Sequence, residues 1–406
     1  MFKFDFDIDD LVDDPELSVP QIQPRPSSDN QKTAGQEKLP TEAPCREIPI
    51  HDLLDSLPSL ISCSPLTIPL HGGTKNVTLV RRDLFDARFQ LIAEGAGPDD
   101  ATNSHTAGAT KVDEDAGAEE KQHRHVSALQ FIEAPSDLVP RVYEGGLKTW
   151  ECSIDLVEYL DSTQGAEGFR GKRILELGCG TAVPSLYILH HIFSSPPTSD
   201  GSQTPETLIY LQDYNDSVLE LVTLPNVLLT WYLSPASQTY RTSNATSTDN
   251  AEDLPFPTTP EPFELPISPS LKSAFLSSVK KTYNITIRFF SGSWSSFSTQ
   301  LPNFHPEKFD IVLTSETIYR MNSLPSLVET MRLACCGSRA EEEHNSKDIV
   351  KAKGECLVAT KVLYFGVGGG VSDFVDFVEK KGIARTKTEK DRKTGVGRVV
   401  LSLDFI

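Results

Sequence analysis

The sequence predicts an α/β fold, a mostly parallel sheet with helices on both faces and one antiparallel strand near an edge, on three observations. An apolar run, Arg173 to Leu177, ends in a glycine turn, GCGT, that opens a helix. Further apolar runs alternate with helical stretches along the second half of the chain. The chain then closes on two extended runs, IARTKTEK and GRVVLSLDF, joined by a DRKTG turn, which reads as a terminal hairpin. Ligands of such sheets bind outside the carboxyl ends of the strands, so the chemically unusual residues are expected just after each strand.

Residues 1–45 are acidic, then rich in Pro, Ser and Gln, and read as a disordered tail, because such composition buries too little apolar surface to offset chain entropy. Its first turn of sequence sets Asp5, Asp7, Asp9, Asp10, Asp13, Asp14 and Glu16 against a single Lys3, as a solubilising tail or as a docking site. Residues 46–134 read as a partly structured N-terminal extension: HDLLDSLPSLIS as a short helix, TIPLHGG and KNVTLVRRDLFDARFQLI as strands or a strand and a helix, then a polar linker over 94–125. The HRH triplet in that linker reads as exposed, not as a metal ligand set.

The main domain is expected over 135–406. TWECSIDLVEYLD has Trp150, Ile154, Leu156, Val157 and Leu160 at helical spacing and predicts a helix ending before Gly165. Arg173–Leu177 is the first central strand, Ala182–Phe193 the helix after it, and Leu208–Leu211 the second strand. SVLELVTLPNVLLTWYL predicts a helix interrupted by Pro225. Residues 234–270, with prolines at 235, 255, 257, 260, 262, 266 and 269, read as a proline-rich, low-complexity insertion looping out of the domain. NITIRFFSGSW, FDIVLTSETIY and ECLVATKVLYF supply the third, fourth and fifth strands, and DFVDFVEKKG a short amphipathic helix before the hairpin.

A formal charge of −19 argues against a uniformly positive surface that coats nucleic acid and suits a basic protein partner. The seven cysteines include no C-x-x-C pair, so neither a disulfide framework nor a zinc site is expected, and no metal is assigned. No run approaches the ~18 apolar residues that span a bilayer, and no signal-peptide pattern opens the chain; a soluble, intracellular protein without membrane contact is expected.

Two features at the strand ends carry the chemistry. The turn Glu176–Leu–Gly178–Cys–Gly180–Thr–Ala182 lacks the third glycine of a dinucleotide fingerprint. Asp213, at the end of the second strand, is placed to accept from the hydroxyls of a ribose, or else caps the following helix. The GVGGG run after the fifth strand has no Lys–Ser/Thr pair and is no phosphate loop; it either lets a substrate chain approach, beside Lys361 and Tyr364, or meets a backbone need.

Taken with Gly292–Ser293–Trp294 and with Glu316 and Tyr319, these residues resemble the S-adenosylmethionine-dependent seven-strand, Rossmann-like class I methyltransferases, in the subgroup that modifies protein side chains. VYEGGLKTWEC, LQDYNDSVLELVTLPNV, LTSETIY and ATKVLYFGVGGGV are similar to the histidine protein methyltransferases of that subgroup, which modify ribosomal protein uL3. The matching blocks are scattered over residues 136–382; the proline-rich insertion and the residues before 130 lie outside them.

The resemblance implies a cofactor site on Thr149, Trp150, Glu151, Cys152, Ser153, Gly178, Gly180, Gln212, Asp213, Tyr214, Gly292, Ser293, Trp294 and Ser315, with S-adenosyl-L-methionine as donor. Within it the glycines admit the methionine moiety, Trp294 offers a face to adenine, and Glu151 neutralises the ammonium or sulfonium. Glu316, and after it Tyr319, is expected to be catalytic, accepting from the second nitrogen of an imidazole as the first attacks the methyl carbon. A lysine acceptor, and a non-catalytic adaptor that keeps the fold and docks ribosomal protein, stand as alternatives. A monomer in cytoplasm and nucleus is expected, with uL3 as protein substrate and no direct nucleic-acid binding.

Overall fold

Apolar side chains alternate between two cores across one large sheet, which sets the architecture. In a computed structural model, which describes residues 42–94, 128, 129, 132, 145–163, 168–197, 205–245, 261–305, 307–337, 354–364, 369–393 and 395–406, eleven strands form two sheets. The strands are β1 (Arg46–Ile48), β2 (Leu60–Leu70), β3 (Lys75–Arg82), β4 (Arg173–Leu177), β5 (Thr207–Asp213), β6 (Phe263–Pro266), β7 (Ile285–Ser291), β8 (Ile311–Ser315), β9 (Glu355–Lys361), β10 (Ala384–Arg392) and β11 (Arg398–Phe405). The large sheet has the order β1-β7-β5-β4-β8-β9-β11-β10. β7, β5, β4, β8 and β9 run parallel, and β11 is antiparallel to both β9 and β10. The seven-strand arrangement with its terminal antiparallel hairpin is therefore present, and it is extended to eight by the three-residue β1, antiparallel on β7.

The parallel strands are buried on both faces, as such strands must be when helices cover each side. Ile174, Ile209, Leu211, Phe289, Ile311, Leu313, Leu357 and Ala359 enter one core, and Leu175, Leu177, Tyr210, Phe290, Val312 and Val358 the other. The helices are α1 (Ile50–Asp55), α2 (Leu84–Ala93), α3 (Glu151–Thr163), α4 (Val183–Ser194), α5 (Leu224–Tyr232), α6 (Gln238–Ala245), α7 (Pro269–Ser277), α8 (Trp294–Phe304), α9 (Leu324–Cys336) and α10 (Val371–Lys380). Residues of α3, α4 and α5 fill the first core, and residues of α8, α9 and α10 the second.

The helix expected over SVLELVTLPNVLLTWYL is present and its regular α form breaks ahead of Pro225: a π turn at Leu219–Thr223 precedes α5, and the Leu221 carbonyl accepts from Arg82 Nη1 at 3.1 Å. The span 234–270 does not simply loop out. Its described residues form α6 and β6, and β6 pairs with β2, Leu60 opposite Pro266 and Cys63 opposite Phe263. With β3 they make a second, three-stranded sheet, β3-β2-β6. In the extension, expected to be partly structured, β1 joins the large sheet and β3 is tied to α5 by Arg82, whose backbone N–H donates to Asn226 Oδ1 at 2.8 Å. The acidic tail, most of the polar linker with its HRH triplet, Val142–Glu144 and the first part of GVGGG lie outside the described residues.

Edges are guarded. β10 carries Arg385, Lys387, Glu389, Lys390, Asp391 and Arg392, a charged outer strand unsuited to pairing with another chain, and a register shift falls between Thr388 and Lys390. Asp155 of α3, whose side chain is 3% exposed, meets Arg398 of β11 at 2.6 Å and Arg392 of β10 at 3.1 Å, fastening the hairpin to the core.

Candidate functional site

The chain leaves β4 toward β5 and β7 on one side, and β8 and β9 extend the sheet on the other. The crevice between β4 and β8 is thus the switch point where such sheets bind ligands. Around it lie the ends of β4 (Gly178–Ala182), β5 (Asp213), β7 (Gly292–Trp294), β8 (Ser315–Tyr319) and β9 (Lys361).

The first turn is held from behind. Gly178 has φ +61°, and a Cβ there would stand 2.7 Å from Thr317 Cγ2, so the turn needs glycine both for its left-handed backbone and for its contact with the β8 loop. The Gly180 N–H donates to Asp213 Oδ2 at 2.9 Å, and Asn215 N–H to Asp213 Oδ1 at 3.2 Å. Thr223 Oγ1 donates to the Gly180 carbonyl at 2.7 Å and Asn226 Nδ2 to the Thr181 carbonyl at 3.1 Å. Through Asn226, the same side chain that receives Arg82, the small sheet braces the turn. Ala182, with φ +57°, carries the strain of opening α4 in a left-handed conformation.

Gln212, expected as a cofactor contact, is wholly buried. Its Oε1 accepts from Gly178 N–H at 3.4 Å and from the Trp294 indole N–H at 2.9 Å, while Nε2 donates to the Gly292 carbonyl at 2.8 Å and the Asp213 carbonyl at 3.0 Å. It joins the ends of β4, β5 and β7 from beneath. Cys152 is likewise fully buried; its backbone N–H donates to Glu316 Oε1 at 3.4 Å, and burial raises its thiol pKa well above the ordinary value, so it too shapes the site from inside. Ser153 turns its hydroxyl onto the Trp150 carbonyl at 2.6 Å at the start of α3.

The G-x-W corner is covered by residues preceding β1. Gly292 has φ +111°, and a Cβ there would lie 2.4 Å from the Pro44 carbonyl oxygen, so only glycine admits this strand. Ser293 N–H donates to Ala43 O at 3.0 Å, and Cys45 N–H to Ser296 Oγ at 2.7 Å. Trp294 projects back from this corner, its ring 3.7 Å from the position of a Gly178 Cβ, flanking the turn expected to receive the donor. Thr149 reaches Thr181 across the turn, hydroxyl to hydroxyl at 3.0 Å, and Tyr214 and Ser315 are half-buried at the ends of β5 and β8.

On the β8 side, Glu316 is 8% exposed with φ +58°, an unfavourable conformation for a non-glycine residue that packing holds in place. Its N–H donates to Ala359 O at 2.9 Å, and its Oε2 takes no hydrogen bond among the described residues. Lys361 Nζ faces that oxygen at 3.5 Å, Glu151 Oε2 at 3.2 Å, and the Trp150 ring centroid at 4.8 Å. Burial pushes the Lys361 pKa down, but Glu316 and Glu151 outweigh it and raise it above the ordinary value, so the group is an ammonium. Glu151, expected to meet the donor's positive charge, thus carries an internal partner. The Tyr319 ring packs edge-on to Tyr364 at 6.2 Å. Glycines of the GVGGG run close back on this loop: Tyr364 N–H donates to Gly369 O at 3.2 Å, and Gly370 bridges to Leu363.

Sequence reasoning placed Lys361 beside the site but not as the shared partner of Glu151 and Glu316, and it missed Thr223, Asn226 and Thr317. Thr223 and Asn226 lie within the block LQDYNDSVLELVTLPNV and Thr317 within LTSETIY, which marked them by motif but not by role; Lys361 has a signal as a lone cation ending the fifth strand. Glu176, also unassigned, is 1% exposed inside β4, and its carboxylate accepts from the Ser185 N–H at 3.1 Å and from the Ser185 hydroxyl. Burial pushes its pKa up to about 8, with Asp213 adding to the rise. Among the described residues no group of His, Cys, Asp and Glu is arranged to hold a metal ion.

No family model matches the chain. It is 29% identical over 387 residues to histidine protein methyltransferase 1 of Saccharomyces cerevisiae, across 94% of this chain and 91% of that one. It is 30% identical to histidine protein methyltransferase 1 of Schizosaccharomyces pombe, across 87% and 83%, and 33% identical to the homolog of Bos taurus, across 66% and 58%. Among solved structures, an rRNA methyltransferase, aviRa from Streptomyces viridochromogenes, aligns at TM-score 0.32 and 14% identity over 64% of this chain and 86% of that one. The identity of about 30% to the Schizosaccharomyces pombe protein, sustained over most of both sequences, means that this chain belongs to the histidine protein methyltransferase 1 family.

Proposed function

We infer that the chain is an S-adenosylmethionine-dependent protein-histidine N-methyltransferase and that its substrate is ribosomal protein uL3. Membership of the histidine protein methyltransferase 1 family is the observation that carries the enzymatic part. The uL3 reading is supported by the resemblance of VYEGGLKTWEC and ATKVLYFGVGGGV to enzymes that modify that protein, and by a net charge of −19 that suits a basic partner. A monomer working in cytoplasm and nucleus, without nucleic acid or membrane as direct partner, completes the proposal.

The residues present fit the donor. The Gly178 turn lies ahead of α4, whose N-terminal end would favour the donor's carboxylate, and Asp213, at the end of β5, would accept from its ribose hydroxyls. Trp294 and Trp150 flank the two ends. S-adenosylmethionine supplies a methyl group on a sulfonium sulfur: the new bond joins an imidazole nitrogen to the methyl carbon as the carbon–sulfur bond breaks and its electron pair stays on sulfur. The protein aligns the nucleophile and excludes water. Glu316 accepts a hydrogen bond from the other ring nitrogen, fixing the tautomer, and stabilises the positive charge that the ring acquires. Its buried Oε2, which takes no hydrogen bond among the described residues and lies 3.5 Å from Lys361 Nζ, is the oxygen assigned to this role.

Replacing Glu316 by glutamine keeps the volume and removes the charge. Affinity for S-adenosylmethionine, measured by calorimetry, is expected within about threefold of wild type while turnover falls roughly 100-fold. Undiminished turnover removes Glu316 from the mechanism, and a wild-type protein that binds no S-adenosylmethionine overturns the enzymatic reading itself.

A further inference from the structure

Lys361 joins the ends of α3, β8 and β9, and the sequence assigns it no role in the transfer. Its side chain is 17% exposed, and its ammonium lies between the Glu316 and Glu151 carboxylates, over the Trp150 ring. We propose that Lys361 determines the acceptor chosen by the site, admitting a neutral imidazole and rejecting an ammonium. This rests on the histidine-methyltransferase reading above.

The argument is a balance of charge. The groups facing Lys361 are Glu151, Cys152 and Trp150 from the start of α3, Glu316 from the end of β8, and Tyr364 beyond β9. The Cys152 thiol and the Tyr364 hydroxyl are both held neutral by burial. Arg398 of β11, a further cation that acts on Glu151 and Cys152, is paired with Asp155 at 2.6 Å. Two carboxylates and one ammonium therefore leave one uncompensated negative charge, which matches the single positive charge of a sulfonium donor. A neutral imidazole enters without disturbing that balance. A lysine acceptor arrives as an ammonium, since its ordinary pKa is about 10.4. It adds an unmatched positive charge and meets the Lys361 ammonium, which lies 3.5 Å from Glu316 Oε2 and 4.8 Å from the Trp150 ring centroid, so the two cations repel. Without Lys361 the same pocket holds two carboxylates beside an aromatic face, a good receptor for an incoming ammonium. The site thus supplies its own cation, and specificity arises from repulsion as much as from attraction.

The test compares wild type, Lys361→Met, Lys361→Gln and Lys361→Arg on two substrates, ribosomal protein uL3 and the same protein with its modified histidine replaced by lysine. The readout is the ratio of kcat/KM for the two, with S-adenosylmethionine affinity measured for each variant. The ratio is expected to fall tenfold or more in favour of the lysine substrate in both neutral variants and to return to the wild-type value in Lys361→Arg. An unchanged ratio in both neutral variants overturns the proposal, as does loss of both activities in both variants while S-adenosylmethionine affinity is normal. A wild-type enzyme that methylates lysine in preference to histidine overturns instead the functional reading on which the proposal stands.

Discussion

Replacing Glu176 by glutamine is expected to make the protein more stable above neutral pH and to flatten its pH dependence. Glu176 is the fourth of the five residues of β4, two residues before Gly178, with a side chain that is 1% exposed. Burial raises its pKa from the ordinary 4.5 to about 8 despite the two hydrogen bonds from Ser185. The carboxyl is therefore neutral in the folded protein at pH 7 and ionised in the unfolded chain. Below pH 4.5 both states hold the proton and Glu176 costs nothing. From pH 4.5 upward the unfolded chain releases it while the folded chain keeps it, and stability falls by about 1.4 kcal/mol per pH unit until the folded group also ionises near pH 8. The window from 4.5 to 8 is 3.5 wide, so the full loss is on the order of 5 kcal/mol. Glutamine keeps an oxygen for Ser185 and has no proton to lose. Urea midpoints for both proteins at intervals from pH 5 to 9 give the difference directly. The glutamine variant should gain on wild type steadily through this range and level off above pH 8. Parallel stability profiles for the two proteins would refute the assignment of Glu176 as a buried neutral acid.

Gln212→Leu strips partners from Gly178 N–H, the Trp294 indole N–H and the Gly292 carbonyl at once. A stability loss of ~2–4 kcal/mol in denaturant melts is expected, with weakened S-adenosylmethionine binding by calorimetry, because the turn and Trp294 lose their common anchor. Asp155→Asn leaves Arg398 and Arg392 without their shared carboxylate. It should lower stability by about 3 kcal/mol and increase hydrogen exchange in the β10–β11 hairpin.

The elements that were legible in the sequence share a physical reason. β4 is legible with its observed bounds because the apolar Ile174, Leu175 and Leu177 of RILEL run straight into a glycine turn, and the hairpin because its runs are bounded by a clear turn. The helix α8 went unread: Pro302 and four serine or threonine residues blur its apolar face, and Trp294 itself, taken as the end of a strand, is its first residue. β6 was hidden among prolines, and its pairing partner in β2 lies about 200 residues away, a contact that no local pattern reports. Within the site, residue type and position after a strand were enough to locate Gly178, Asp213, Trp294 and Glu316 around one crevice. They were not enough to separate residues that line it from those beneath it. Gln212 and Cys152 follow the same motif logic as their neighbours, and only burial distinguishes them. Lys361 acquires meaning only when α3, β8 and β9 are assembled, since its partners come from residues 151 and 316.

The most direct measurement is the chemical identity of the product. The purified protein is incubated with S-adenosylmethionine labelled in its methyl group and with ribosomal protein uL3, and the labelled substrate is hydrolysed to amino acids. Label recovered as N-methylhistidine is the predicted result. Label recovered as methyllysine, or uL3 left unlabelled by a protein that binds the donor, would contradict the account.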